Sequence, residues 1–153
     1  MKIRDARAAD EAGWRALWDG YTTFYRVDLP EAVTAETWRR ILDPASPLTA
    51  RLAEAADGDL AGFAISFLHP GTFVTAPVCY LEDLFVSPSH RRQGVGRLLV
   101  QDLVDRAKAE GWVRLYWHTE TDNPARKLYD QFVAVDDYVR YRMVFGDGGP
   151  GAA

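Results

Sequence analysis

"SPSHRRQGVGRLL", residues 87–99, follows the apolar run "VCYLEDLFV" (78–86) and leads into a segment whose apolar residues recur at helical spacing. A strand that ends in a basic, glycine-bearing turn and passes into a helix presents unpaired backbone N–H groups at the positive end of the helix dipole. Gly94 and Gly96 let the backbone approach an anion with no Cβ in the way, Gln93 precedes them, and Arg91, Arg92 and Arg97 add charge on the same side. The turn is not a dinucleotide loop, because the position of the third glycine is Leu99. Nor is it a P-loop, since it lacks lysine. A phosphate cradle and a solvated basic connection between strand and helix are the two readings left open.

Outward from that turn, the pattern predicts one α/β domain. "KIRDAR" (2–7) alternates as a first strand, and Asp10 stands where it could cap a helix of about 11–25. Pro30 and Glu31 open a second helix that stops at "DPASP" (43–47). Residues 48–56 and 60–68 are strand-like around Asp57-Gly58, a tight-hairpin signal in which both central residues need positive φ. Residues 74–86 form a long strand candidate, with Pro77 near its start. The helix after the turn covers about 92–110 and stops at Gly111. "WVRLYWHT" (112–119) is a strand, Asn123-Pro124 starts a helix of about 124–133, and "YVRYRMVF" (138–145) alternates as a last strand. Hairpins early and β-α-β crossovers late imply a mixed sheet. The domain spans 1–145, and "GDGGPGAA" (146–153) is expected to be a flexible tail.

The 153 residues suit a single domain, and five Trp and seven Tyr argue for a packed core. A net charge of −4 argues against duplex nucleic acid as partner. The one cysteine, Cys79, cannot form an intramolecular disulfide and reads as a buried small hydrophobe. No stretch reaches membrane-spanning length and the N-terminus carries no leader pattern, so the expected location is the cytoplasm, away from membranes. His69, His90 and His118 are scattered without metal-ligand spacing, and no metal is expected.

Glu82 and Asp83 interrupt an apolar strand, where alternation points them to opposite faces. With both faces covered, at least one carboxylate is poorly solvated and shifts toward the range of a useful base. An ion pair with an arginine is the other open reading. Tyr129, in "NPARKLYDQF" (123–132), falls on the apolar face of its helix, as a core tyrosine also would.

Taken together, these residues resemble the GCN5-related N-acetyltransferases. Arg91-Arg92-Gln93-Gly94-Val95-Gly96 matches the family's Arg/Gln-x-x-Gly-x-Gly/Ala acetyl-CoA signature, and the similarity extends through "YLEDLFVSP" (80–88) and "ARKLYD" (125–130). "LWDGYTTFYRVDLP" (17–30) with "TWRRILDP" (37–44) is similar to the N-terminal half of the diamine, polyamine and Hpa2-type subgroup. The resemblance implies a single-domain fold with a mixed, mostly antiparallel central sheet flanked by helices, whose central parallel strands splay to admit the cosubstrate. It also implies acetyl transfer from acetyl-CoA to a primary amine, without metal. Leu84, Phe85 and Val86 would lend backbone groups to the pantetheine arm, and the backbone of Arg92 to Arg97 would hold the pyrophosphate. Glu82 stands where the polyamine-acetylating members have a proposed base, and Tyr129 where the family usually has the acid toward the departing thiolate. The family's Asn seven residues before that Tyr is Asp122 here, so the neighbouring Asn123 is the candidate cosubstrate contact. The family's Gly-Phe after the last helix is replaced by "DDYV" (136–139).

The acceptor would lie between the two N-terminal helices and the splayed strands. Tyr21, Phe24, Tyr25 and Trp38 are candidate walls, and Asp28, Glu36 or Asp83 are candidates for holding a second positive charge. Diamines, polyamines and amino-acid analogues are the first acceptor class. A protein lysine or N-terminus, and acyl-CoA binding without catalysis, are the alternatives. Many relatives pair through C-terminal strands, which implies a homodimer.

Overall fold

The computed structural model describes residues 1–145. Chain order is β1 (Lys2–Asp5), a 3-10 turn (Ala8–Asp10), α1 (Glu11–Phe24), α2 (Glu31–Leu42), β2 (Leu48–Glu54), β3 (Leu60–His69), β4 (Val78–Val86), a second 3-10 turn (Pro88–His90), α3 (Val95–Glu110), β5 (Arg114–Tyr116) and α4 (Arg126–Tyr129). The strands form one sheet in the order β1-β2-β3-β4-β5. Every neighbouring pair is antiparallel except β4 and β5, which run parallel with α3 as their crossover. The expected mixed, mostly antiparallel architecture is therefore present. The tail expected at 146–153 lies outside the described residues.

Two cores form because the strands alternate. Phe63, Ile65 and Phe85 face α1 and α2, where Trp14, Leu17, Trp18, Trp38 and Ile41 recur at helical spacing and are buried. Ala64, Leu81 and Leu84 face α3, against Val95, Leu99, Val100 and Leu103, and Ala61 joins them as the extra residue where the β2–β3 register shifts. Charged residues tie the layers together at the rim. Arg51 of β2 reaches Asp102 of α3 at 2.7 Å and Asp5 of β1 at 2.6 Å. Arg4 pairs with Asp10 at 2.7 Å and with Glu54.

Asp10 does not cap α1. Its carboxylate accepts from Arg4 and from the Arg7 backbone N–H at 2.7 Å, so a tertiary partner outcompetes the local one. In the β2–β3 hairpin only Gly58 has positive φ (94°), and the Ala55 N–H donates to the Asp59 carbonyl, giving a longer loop than the two-residue turn expected. β4 starts after Pro77, which has no N–H to give to a ladder. β5 is three residues long and α4 four, both shorter than their sequence patterns. The strand expected at 138–145 is not formed. Among the described residues that segment has no ladder partner, and Tyr138 and Tyr141 are 90% and 93% exposed, since alternation alone does not hold a strand.

Candidate active site

β4 and β5 pair only from Val78 to Tyr80 against Arg114 to Tyr116. Beyond Tyr80 the parallel strands part, and among the described residues β4 from Leu81 to Val86 has no strand on that edge. The parting coincides with a fault in the ladder. Ile65 pairs with Asp83 while its neighbour Ser66 pairs with Leu81, which leaves Glu82 as the extra residue of a β-bulge. The side-chain pattern agrees, because Leu81 and Leu84 pack in the same core despite an odd spacing of three. The opposite-face expectation for Glu82 and Asp83 fails for this reason: the bulge slips the alternation by one residue between Leu81 and Leu84.

The two carboxylates differ in setting. Asp83 accepts a hydrogen bond from the Tyr21 hydroxyl of α1 at 2.5 Å. Burial raises its carboxyl to about 6, against the pull of that hydrogen bond. Tyr21 is raised as well, by burial and then by the charge of Asp83. Glu82 is exposed to solvent along part of its side chain, yet the protein behind it raises its pKa, and the charges of His118 and Arg140 oppose that rise.

On the other arm of the parting, α4 carries Tyr129, half-buried with its ring 5.3 Å from that of Trp117. Burial, then the neighbouring Tyr25, raises its hydroxyl to about 12, so it is protonated at neutral pH. The ring of Tyr25 lies 5.0 Å from that of Tyr21, the partner of Asp83. The Tyr25 hydroxyl accepts from Asn123 Nδ2 at 3.2 Å, and Asn123 Oδ1 accepts the Ala125 N–H at 2.9 Å. Asn123 is buried. Its side chain is thus committed to joining α1 to the turn that begins α4, where a cosubstrate contact was expected.

The turn of residues 91–96 leads from β4 into α3. Gly94 has φ 80°, and a Cβ built there would meet nothing within 4 Å, so its backbone is open to a ligand. Arg92 also lies in the left-handed region, at φ 61°. At Gly96 a Cβ would stand 3.0 Å from Leu128, so glycine lets the first turn of α3 approach α4. Val95 is buried beneath this turn, and Gln93 donates to the Ser89 carbonyl at 3.1 Å. Arg91 folds back over the rings of Phe24 and Phe85 and donates to the Val86 carbonyl at 3.2 Å. Arg97 donates to Gln131 at 2.9 Å beside the Phe132 ring. The backbone amides of this turn and its flanking arginines fit a diphosphate.

Two expected acceptor contacts sit elsewhere. Trp38 is buried in the core, stacked on Trp14 at 4.9 Å. Glu36 lies on the outer surface of α2, where Arg39 and Arg40 hold its carboxyl down at about 2. Phe24 packs edge-on against Tyr25 at 5.0 Å beneath Arg91, and Asp28 is exposed after α1. Tyr21, Tyr25 and Asp83 do converge with Glu82 and Tyr129. A separate depression of about 310 Å³, lined by Leu68 to Gly71 and Val74 to Pro77, has no acidic side chain in its walls. No group of three or more metal-ligating side chains occurs among the described residues. The sequence reading missed the bulge, the Tyr25–Asn123 link and a patch of rings beside Glu82. The odd spacing of apolar residues around "LED" was the one signal available for the first of these.

Residues 14–132 match the profile described as the Acetyltransferase (GNAT) family. The chain is 34% identical over 142 residues to D-amino-acid N-acetyltransferase HPA3 of Saccharomyces cerevisiae, covering 92% of this chain and 88% of that one. In fold it is similar to a ribosomal-protein-alanine N-acetyltransferase from Brucella melitensis biovar Abortus 2308 (TM-score 0.80, 25% identity, 94% and 98% of the two chains). It also superposes on AAC(6')-Iy, solved with the bisubstrate analog CoA-S-monomethyl-acetylneamine (TM-score 0.75, 24% identity, 93% and 97% covered). A sheet that parts at a bulge, a glycine turn opening onto α3 and a sequence match over most of its length agree: the chain belongs to the GNAT acetyltransferase family and is an N-acetyltransferase.

Proposed function

We propose that the enzyme moves an acetyl group from acetyl-CoA to the primary amine of a small acceptor by direct attack, with Glu82 as base and Tyr129 as acid. The observation that carries this reading is the bulge at Glu82 where β4 and β5 separate, with the half-buried Tyr129 on the opposite arm. The amides of Arg92 to Arg97 would grip the pyrophosphate, while Leu84, Phe85 and Val86, on the unpaired edge of β4, would offer backbone groups to the pantetheine arm. A primary amine with a pKa near 10 arrives protonated. Glu82, directly or through a water, takes that proton, and its raised pKa suits it to the task. A backbone N–H near Phe85 stabilises the oxyanion, and Tyr129 donates its proton to the departing sulfur. Cys79, buried with its thiol raised by burial, takes no part.

The name of the yeast relative supports a small amino-acid-like acceptor. We place the reaction in the cytoplasm, where acetyl-CoA is at hand; no helix among the described residues is long and apolar enough to cross a membrane. We also propose a homodimer, supported by the resemblance to a family whose members pair through C-terminal strands, and sedimentation velocity tests it. Thiol release from acetyl-CoA against a panel of free amines and peptides, with mass detection of products, tests the main reading. Glu82→Gln is expected to lower kcat at neutral pH by about 100-fold or more and to remove the acid-side fall in the pH profile. Tyr129→Phe is expected to lower kcat while calorimetric binding of coenzyme A persists. Wild-type turnover across pH in both folded variants would remove these roles.

A further inference from the structure

Alternation sets five rings on one open stretch of the sheet. Phe67 and His69 follow Phe63 and Ile65 at steps of two, and so share the face that α1 covers further up. Tyr80 pairs with both Phe67 and Tyr116, and His118 lies one more step of two along. Their neighbours Leu81, Leu115 and Trp117 pack on the opposite side with α3. Tyr80 lies 5.3 Å from Phe67, 5.0 Å from Tyr116 and 5.5 Å from His118, and His69 lies 5.8 Å from Tyr116. Four of the rings are half-buried and His118 is exposed. The patch ends at Glu82, two residues from Tyr80.

Most of the patch's polar atoms are engaged within it. His69 Nδ1 donates to the Pro70 carbonyl at 2.9 Å, and its Nε2 is joined to the Tyr116 hydroxyl at 3.0 Å. The Tyr80 hydroxyl and His118 Nδ1 are joined at 3.1 Å. What remains for a ligand is ring carbon. Glu82 is the carboxylate at its border, two residues from Tyr80.

We infer that this ring patch is the subsite for the body of the acceptor and selects amines that carry an aryl group, which lies on Phe67, Tyr80 and Tyr116 while the amine points to Glu82. The inference rests on the acetyl-transfer reading above and names its acceptor class. Offset and edge-on ring contacts favour an aryl over an alkyl body of equal length.

The test compares kcat/KM for phenylethylamine, hexylamine and hexanediamine at fixed acetyl-CoA. The wild type is expected to prefer phenylethylamine to hexylamine by about tenfold. Tyr116→Ala and Phe67→Ala are expected to bring that ratio to within about twofold, whereas Tyr116→Phe, which keeps the ring, retains it. Thermal melts identify folded variants, and the wild-type ratio stands as a readout whatever the variants do. Turnover of hexylamine with no aryl preference, or a preference for the diamine, overturns the inference and leaves the acetyl-transfer reading intact. No thiol release with any amine removes that reading and this one with it. A Tyr116→Ala protein that changes oligomeric state with the amine ratio unmoved would assign the patch to a second copy, and overturns the inference too.

Discussion

Asp83 illustrates how burial and function compete at a single residue. Its carboxyl, raised to about 6, holds more protons in the folded chain than in the unfolded one between roughly pH 4 and 6. Its contribution to stability is therefore complete below the unfolded value and is lost as pH rises through the folded one. Asp83→Asn keeps an acceptor for the Tyr21 hydroxyl and removes the buried charge. It is expected to raise stability at pH 7.5 by about 1–3 kcal/mol and to leave it unchanged at pH 3.5, as read from urea midpoints. A variant no more stable at pH 7.5 would mean that Asp83 is better solvated than its place beneath α1 implies. Glu82, one position earlier but standing out at the bulge, combines a raised pKa with access to solvent, which suits a group that must take up and release a proton.

At the scale of the element, the four residues of α4 are too short a helix to hold themselves in place. They are placed from outside. Asn123 binds the Ala125 N–H on one side and the Tyr25 hydroxyl on the other, and Tyr25 belongs to a run of rings that passes through Tyr21, Trp18 and Trp14 to Trp38. The aromatic stripe of α1 thus serves the core at one end and aligns the Tyr129 turn at the other. Asn123→Ala breaks both hydrogen bonds and is expected to cost about 1–2 kcal/mol of stability. Because it frees the turn that carries Tyr129, kcat is expected to fall more than the affinity for acetyl-CoA. An equal loss in calorimetric coenzyme A affinity would instead make Asn123 a cosubstrate contact.

For the whole molecule, the proposed cosubstrate would span the turn before α3 and the free edge of β4, and a ligand that binds only the folded chain stabilises it. Coenzyme A at about 100 times its Kd is expected to add about 2.7 kcal/mol to unfolding free energy. Gly94→Val, strained at φ 80° and closing the open backbone there, is expected to lose most of that gain. A thermal shift that survives in Gly94→Val would move the phosphate away from this turn. The turn itself was readable from the chain, because a glycine pair flanked by arginines between a strand and a helix is a local pattern that depends on no distant residue.

Local order determined much else in the same way: the extents of α1 and α2, the five paired strands and the crossover through α3 follow from apolar periodicity and from Pro and Gly stops. Tertiary structure alone decided the rest. The register slip at Glu82 exists only against β3, the fate of 138–145 depends on whether a partner strand is present, and Asp10 chose Arg4 over the helix end because a better donor folded beside it. Trp38 and Tyr25 share a helical spacing of apolar residues, yet one became core and the other a strut at the site. Periodicity tells which side of a helix is apolar, whereas the neighbour that side meets is set by packing between segments far apart in the chain.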